Sequence, residues 1–505
     1  MRFRTKLFQF AHPERLASFE GFPGPPPTFP LGNQGAFLRK PAWQVCDQLA
    51  EQHGPLALLW IKSRPLVLIS DEQLAMAVLS HGKDAFQLET PAELLGFGQP
   101  NDSSLLQAGL GHGDPYGSGE SVHSLVQTPW LEEWLEERMP LLLADVQERA
   151  RAFAHETESG PRPLFAALLR VVFQSLTRLT LGQELGHQAF DDFLEFTLGN
   201  ARKSLGMGVL EEREDLLGTP EERLLAAIGR QISMGQRYPD RERQDLIGHL
   251  IEGRYALPES RWAEALLRVY LSTCLQIASQ LTNTLSLVGA HPAALEGLLA
   301  ELDAQPANPS LYQLLHLPVL DGVYREGCRM APASPLIGRR VRDSRQVDLG
   351  GHKLPPGTGA LIHLGLLQRD AEIWAEPNTF DPGRWQLAEG PLLERPSEIR
   401  LAHGAAQLSN PHERLAEWAS KLILFTWLKD HTVLTSEDPM LGKPERYASG
   451  LRIPHGIAAR VYRRGTQAHP SAHEQDDRIP SSRPMTLLKG SLRFGIPKRG
   501  KAQSQ

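Results

Sequence analysis

Cysteine is nearly missing from this chain, with 3 in 505 residues. Cys46, Cys274 and Cys328 lie far apart and show no CxxC spacing. That excludes a disulfide framework and a structural zinc site of the usual ligand spacing, and it suits a reducing, cytoplasmic setting. Also missing is any run of about 18 apolar residues, so no membrane-spanning segment is expected. Neither charge sign dominates: 53 Lys and Arg face 59 Asp and Glu, a net charge of −6. The chain therefore has no electrostatic bias toward nucleic acid, and no nucleic-acid partner is expected. Familiar catalytic signatures are missing too: no Ser–His–Asp pattern, no Walker loop, no GxGxxG after a strand and no HExxH.

What is there reads as an ordinary globular composition, 41% hydrophobic and 22% charged. The first residues, MRFRTKLFQFAHPERL, are basic and mildly amphipathic but lack the apolar core and cleavage site of a signal peptide. Residues 1–22 are expected to be a frayed extension, with a weak surface anchor as the alternative. A proline-rich stretch, PGPPPTFP at 23–30, has to run extended. Ala42–His53 reads as a helix stopped by Gly54 and Pro55, and Ala57–Ile61 with Leu66–Ser70 as a hairpin. Asp71 is placed to cap a helix running to Leu79. Residues 96–119 are loop-like.

Helical patterns continue at Trp130–Thr157, Pro163–Leu181, Gln188–Leu205, Arg223–Met234 and Arg241–Arg254. The longest, Pro258–Pro292, has few charges in its middle and should be buried on nearly all sides. Short strands are expected at Pro335–Val341, Gln346–Leu349, His352–Leu354 and Gly359–His363, and a strand pair in Tyr447–Arg464. The expected fold class is mainly α with small β-sheets: one domain over 23–464, then a polar, basic-ended tail over 465–505 that reads as disordered.

The motifs cluster between Leu320 and Leu424. Glu326 and Arg329 form ExxR, a spacing that puts a carboxylate and a guanidinium fork on one helix face. Arg339-Arg340, then Gly350-Gly351-His352 through Pro355-Pro356-Gly357-Thr358, then Arg369-Asp370 follow. Phe380-Asp381-Pro382-Gly383-Arg384-Trp385 ends the series. In this order and spacing they resemble the haem-binding half of a cytochrome P450, and the resemblance extends over 23–464. It implies the P450 fold and a structural knot of Glu326, Arg329 and Arg384.

The resemblance also marks where this chain departs from the family. The family's haem loop, FGxGxRxCxG, aligns with His403-Gly404-Ala405-Ala406-Gln407-Leu408-Ser409-Asn410-Pro411-His412. Of these only Gly404 agrees. Leu408 stands at the propionate-binding arginine and Asn410 at the thiolate, and a neutral amide is a poor iron ligand. On the long helix the family places AGx(D/E)T, where this chain has Ser272-Thr273-Cys274-Leu275-Gln276. Leu275 replaces the acid and Gln276 the alcohol, and no Asp or Glu occurs between Glu264 and Glu296. The usual proton delivery is thereby missing. Trp134 and Arg138 fit the letters of the family's propionate-contacting WxxxR but fall late, so helix packing and a solvated charge stand beside that reading.

Three functional readings follow. In the first, the chain is a folded scaffold without monooxygenase activity that serves a protein partner from the same biosynthetic pathway. Some P450-like helper proteins in macrolide biosynthesis lack the ligand cysteine in this way and activate a glycosyltransferase. In the second, haem binds through His403 or His412, with Arg339 and Arg340 as propionate contacts. In the third, a haem-free pocket binds or transforms an apolar small molecule.

Overall fold

The computed structural model describes residues 2–38, 40, 42–80, 85–89, 91–96, 130–198, 218–237, 245–252, 258–386, 413–435 and 457–464. The expected tail at 465–505 and the haem-loop positions 403–412 lie outside the described residues.

The chain opens with helices, α1 (Arg2–Ala11) and α2 (Pro13–Ala17), where a frayed segment was expected. Burial explains the difference. Phe8 has no exposed surface and lies 5.8 Å, ring to ring, from Trp60, and Phe19 lies 5.7 Å from the same indole. Docking an apolar face holds a helix too short to persist alone. After the extended proline stretch and helix α3 (Ala42–His53), strands β1 (Leu56–Ile61) and β2 (Arg64–Ile69) form the expected hairpin. Asp71 then caps helix α4 (Glu72–Ser80), its Oδ1 accepting from Leu74 N at 2.8 Å.

Strand β3 (Phe86–Leu88) is followed by the helical body. It comprises α5 (Trp130–Thr157), the short strand β4 (Arg162–Pro163), α6 (Leu164–Leu181), α7 (His187–Leu198), α8 (Pro220–Arg237) and α9 (Leu246–Ile251). Gly182 ends α6 with a left-handed φ of 78°, a conformation glycine adopts without steric cost. Among the described residues α6 is the one helix long and apolar enough to cross a membrane, and it lies mostly buried in the core. Helix α10 (Trp262–Ala290) follows and runs 29 residues, ~44 Å at the standard rise. Every described side chain from Ala265 to Val288 on it is buried. This central helix touches α6, α8 and four later elements.

Helices α11 (Pro292–Asp303), α12 (Leu311–Leu315) and α13 (Pro318–Met330) lead to strands β5 (Leu336–Val341), β6 (Val347–Leu349), β7 (His352–Leu354) and β8 (Gly359–His363). Helix α14 (Glu413–Asp430) precedes β9 (His431–Thr435) and β10 (Ala458–Arg463). The main sheet has the order β1-β2-β8-β5-β3, with β2 and β8 parallel. A second sheet has the order β4-β10-β9. Of the strand pair expected within Tyr447–Arg464, the second strand is present as β10, which pairs with β9 and β4, and the first lies outside the described residues. The architecture is mainly helical with small sheets, as the motifs implied.

Candidate functional site

Helix α13 places Glu326 and Arg329 three residues apart on its buried face, and neither side chain is exposed at all. Arg329 Nε donates to Glu326 Oε2 at 2.9 Å and Nη2 to Oε1 at 2.8 Å, a two-point fork. Its other hydrogens reach the carbonyls of Gln368 and Pro377, both at 2.7 Å, and Thr379 at 3.2 Å. The guanidinium also lies 5.2 Å from the Trp374 ring. The short 3₁₀ turn Pro382–Trp385 brings up Arg384, whose Nε donates to Glu326 Oε1 at 3.0 Å. Arg384 Nη1 and Nη2 hold Ala375 O at 2.8 Å and Thr379 O at 3.2 Å. The structure thus brings the three knot residues of the motif series together around one carboxylate.

Two further donors on that carboxylate were not singled out from the motifs. Trp385 Nε1 donates to Glu326 Oε2 at 2.9 Å, and the Asp381 amide to Oε1 at 3.0 Å. Trp385 closes the FDPxRW letters, so the signal was in view, but its indole N–H rather than its bulk does the work. The approach of α13 to this turn is close: a Cβ on Gly322 would fall 2.5 Å from Pro382 O.

The neighbouring arginines separate. Adjacent positions on a strand face opposite sides of the sheet. Arg340 is already held by both carboxylate oxygens of Glu89, one of them at 2.6 Å, and by Gly357 O at 2.6 Å. Arg339 is buried and donates to Gly338 O at 2.8 Å. Its Nη2 has no hydrogen-bond partner among the described residues. Burial pulls this guanidinium down to about 10, with no carboxylate paired to it among the described residues. Of the two candidate propionate contacts, Arg339 is therefore the one with a donor to spare. Glu89 could not be paired with Arg340 from the sequence, because the two stand 251 residues apart.

On α10, Cys274 and Leu275 show no exposed surface and Gln276 shows 6%. One turn further, Gln280 Oε1 accepts from Ala333 N at 3.1 Å and Asn283 Nδ2 donates to Ala331 O at 2.9 Å. The long helix therefore uses its amides to fasten the chain that leaves α13. Cys46, Cys274 and Cys328 are all free and buried. Burial pushes the Cys46 and Cys274 thiols up, so neither is a thiolate at neutral pH. No group of three or more His, Cys, Asp or Glu side chains is placed to hold a metal among the described residues. The side chain of Trp134 and the positions His403, Gly404, Leu408, Asn410 and His412 lie outside the described residues, while Arg138 sits half-buried on α5.

Comparison with known proteins points the same way as the knot. A family model described as cytochrome P450 matches residues 233–457, from α8 through α10, the knot and α14. Cytochrome P450 81F4 of Arabidopsis thaliana is 22% identical over 73% of this chain and 77% of its own length. Cytochrome P450 81E8 of Medicago truncatula is 23% identical over 80% and 85%. Thromboxane-A synthase of Mus musculus is 32% identical over a shorter stretch, 36% of this chain and 35% of its own. With similarity running over most of the chain and the knot assembled around Glu326, the chain belongs to the cytochrome P450 superfamily.

Proposed function

We propose that this chain keeps the P450 scaffold without haem-thiolate monooxygenation and acts as an accessory protein that binds a partner from its own biosynthetic pathway. One observation carries the reading: no cysteine follows Cys328, and the cysteines that exist are buried in α3, α10 and α13. Oxygen activation in this superfamily draws on an electron-rich sulfur ligand. None of the three cysteines falls in the aligned loop 403–412. The mid-helix side chains Cys274 and Leu275 are fully enclosed, and α10 offers no carboxylic acid from Ala265 to Ala290. No catalytic step is therefore assigned to haem.

The partner-binding face we favour lies beside the loop before α14, where a P450 would meet its electron donor. On the adjoining helices Lys421 Nζ holds Asp321 at 2.7 Å and Glu417 at 2.6 Å, and Arg325 holds Asp321 at 2.7 Å. Lys421 itself is buried, so this network fastens the two helices to each other beneath that face.

A second reading is favoured by Arg339, whose spare buried donor suits a carboxylate such as a haem propionate. The absorption spectrum of the purified full chain, expressed with haem supplied and read with dithionite and carbon monoxide, separates the two. The scaffold reading expects no Soret band. A band at the position of a thiolate–carbon monoxide complex overturns it. A histidine-type spectrum that disappears in His403→Ala or His412→Ala replaces it with the second.

A further inference from the structure

Between α7 and α8 the described residues form a groove of about 630 Å³, a size that suits a small molecule. Helix α8 buries Leu224, Ile228 and Ile232 in the core it shares with α10. The groove residues Arg223, Ala226, Ala227 and Arg230 follow the same helical spacing on a different face, so the groove opens away from that core. From the α7 side Leu185, Ala189 and Asp192 line it, again one helix face. The two helices are tied at both ends. At one end Arg223 pairs with buried Asp192 at 2.6 Å, and at the other Gln183 Nε2 donates to Gln231 Oε1. The ties lie ~12 Å apart along α8. Between them the three alanines leave a flat apolar floor.

The polar groups on the rim say what the groove takes. Its acceptors are in use. Asp192 Oδ1 accepts from Arg223 Nε at 2.8 Å and Gln188 Nε2 at 3.1 Å, and Glu222 Oε2 accepts from Thr219 N at 2.7 Å in the cap of α8. Its donors are to spare. Arg230 has no hydrogen bond or ion pair among the described residues, and the Gln231 amide nitrogen has none while its oxygen is held by Gln183. Asp192 and Arg223 cancel, and Glu222 stands ~12 Å along the helix from Arg230. One end of the groove is therefore positive and rich in N–H groups, which suits a carboxylate. A rigid ring loses less freedom on the alanine floor than a flexible chain would. We propose that this groove binds a small planar aromatic acid, with its carboxylate on Arg230 and Gln231 Nε2 and its ring on Ala189, Ala226 and Ala227.

The test is isothermal titration calorimetry of the full chain with 2-naphthoate and with the uncharged 2-naphthalenemethanol. Wild type is expected to bind naphthoate saturably, and the alcohol about tenfold more weakly or worse. Arg230→Gln should weaken naphthoate by about tenfold and leave the alcohol unchanged. Ala226→Trp, which fills the floor, should abolish binding of both. Positions 226 and 230 are exposed, so circular dichroism and the thermal midpoint of both variants should match wild type. No saturable naphthoate binding by wild type overturns the site. Undiminished naphthoate binding in Ala226→Trp overturns it as well, by placing the ligand elsewhere in the molecule. Equal affinity for acid and alcohol, or indifference to Arg230→Gln, overturns the carboxylate as the group recognised.

Discussion

Glu326 has no exposed surface, yet two guanidinium groups, an indole and a backbone amide converge on its two oxygens. Replacing it with Gln keeps the shape and removes the charge, leaving Arg329 and Arg384 buried without their shared anion. Breaking a buried pair in this way costs ~3–5 kcal/mol, so Glu326→Gln should lower the urea midpoint strongly at unchanged slope. A loss below about 1 kcal/mol would show that backbone carbonyls alone carry the two guanidinium groups. Arg339 is the opposite case. It too is buried, but among the described residues no carboxylate pairs with it and burial lowers its pKa. An unpaired buried charge opposes folding, so Arg339→Met should leave stability unchanged or raise it by ~1–2 kcal/mol in urea melts of the haem-free protein. Removing the counter-charge of one buried arginine and removing another arginine ten residues on are thus expected to shift stability with opposite sign. The motif letters alone could identify both positions but not this difference, because the counter-charge of one comes from its own helix and the other has none among the described residues.

Between helices, Asp145 on α5 has a side chain only 2% exposed and faces α6. It accepts from Arg149 at 2.9 Å, Ser175 at 2.5 Å and Arg178 at 2.8 Å. Burial pushes its carboxyl up, but these donors outweigh burial and hold it below the ordinary aspartate range. A folded-state pKa below the unfolded one means that the contribution is present above the unfolded value. It is lost as pH falls from about 4 through the lower folded value. Asp145→Asn should cost about 2–3 kcal/mol at neutral pH, and the separation between urea melts of wild type and variant should shrink steadily as pH falls below about 4. Constant separation across that range would assign the acid sensitivity to other carboxylates. Elements such as α5 and α10 were legible because long helices bury a stripe that shows in the letters. Helix α1 was not: its fixing partner, Trp60, lies in a strand of a different segment. Strand β9 was missed for a similar reason, since His431–Thr435 follows α14 without a break and gains its identity only by pairing with β10.

In the molecule as a whole the apolar core is divided. One cluster gathers α5 to α14 around α10, including Leu266, Phe173 and Trp427. Two others pack on the faces of the main sheet and join residues between Phe8 and Leu95 to residues between Leu336 and Leu367. The seam of that sheet is the parallel pairing of β2 with β8, which unites distant stretches of chain. Helix patterns could be read one segment at a time, but this pairing could not, because the alternation in each strand says nothing of which strand lies beside it. The division also sets how stability should be distributed. Elements with separate cores open as partly separate units, each with its own free energy. Ile362, in the middle of β8, has no exposed surface and belongs to the sheet core alone. Ile362→Ala should cost ~2–4 kcal/mol through lost burial and the cavity left behind. In native-state hydrogen exchange that loss should fall on the amides of β1, β2, β5 and β8 and on α1, which leans on Trp60 from the same side. The amides of α10, packed among helices and β9 in the other cluster, should keep their protection until global unfolding. Equal loss in the sheet and in α10 would mean that the three clusters open as one, and that Gln280 and Asn283, clamping Ala333 and Ala331 ahead of β5, transmit the strain from sheet to helix.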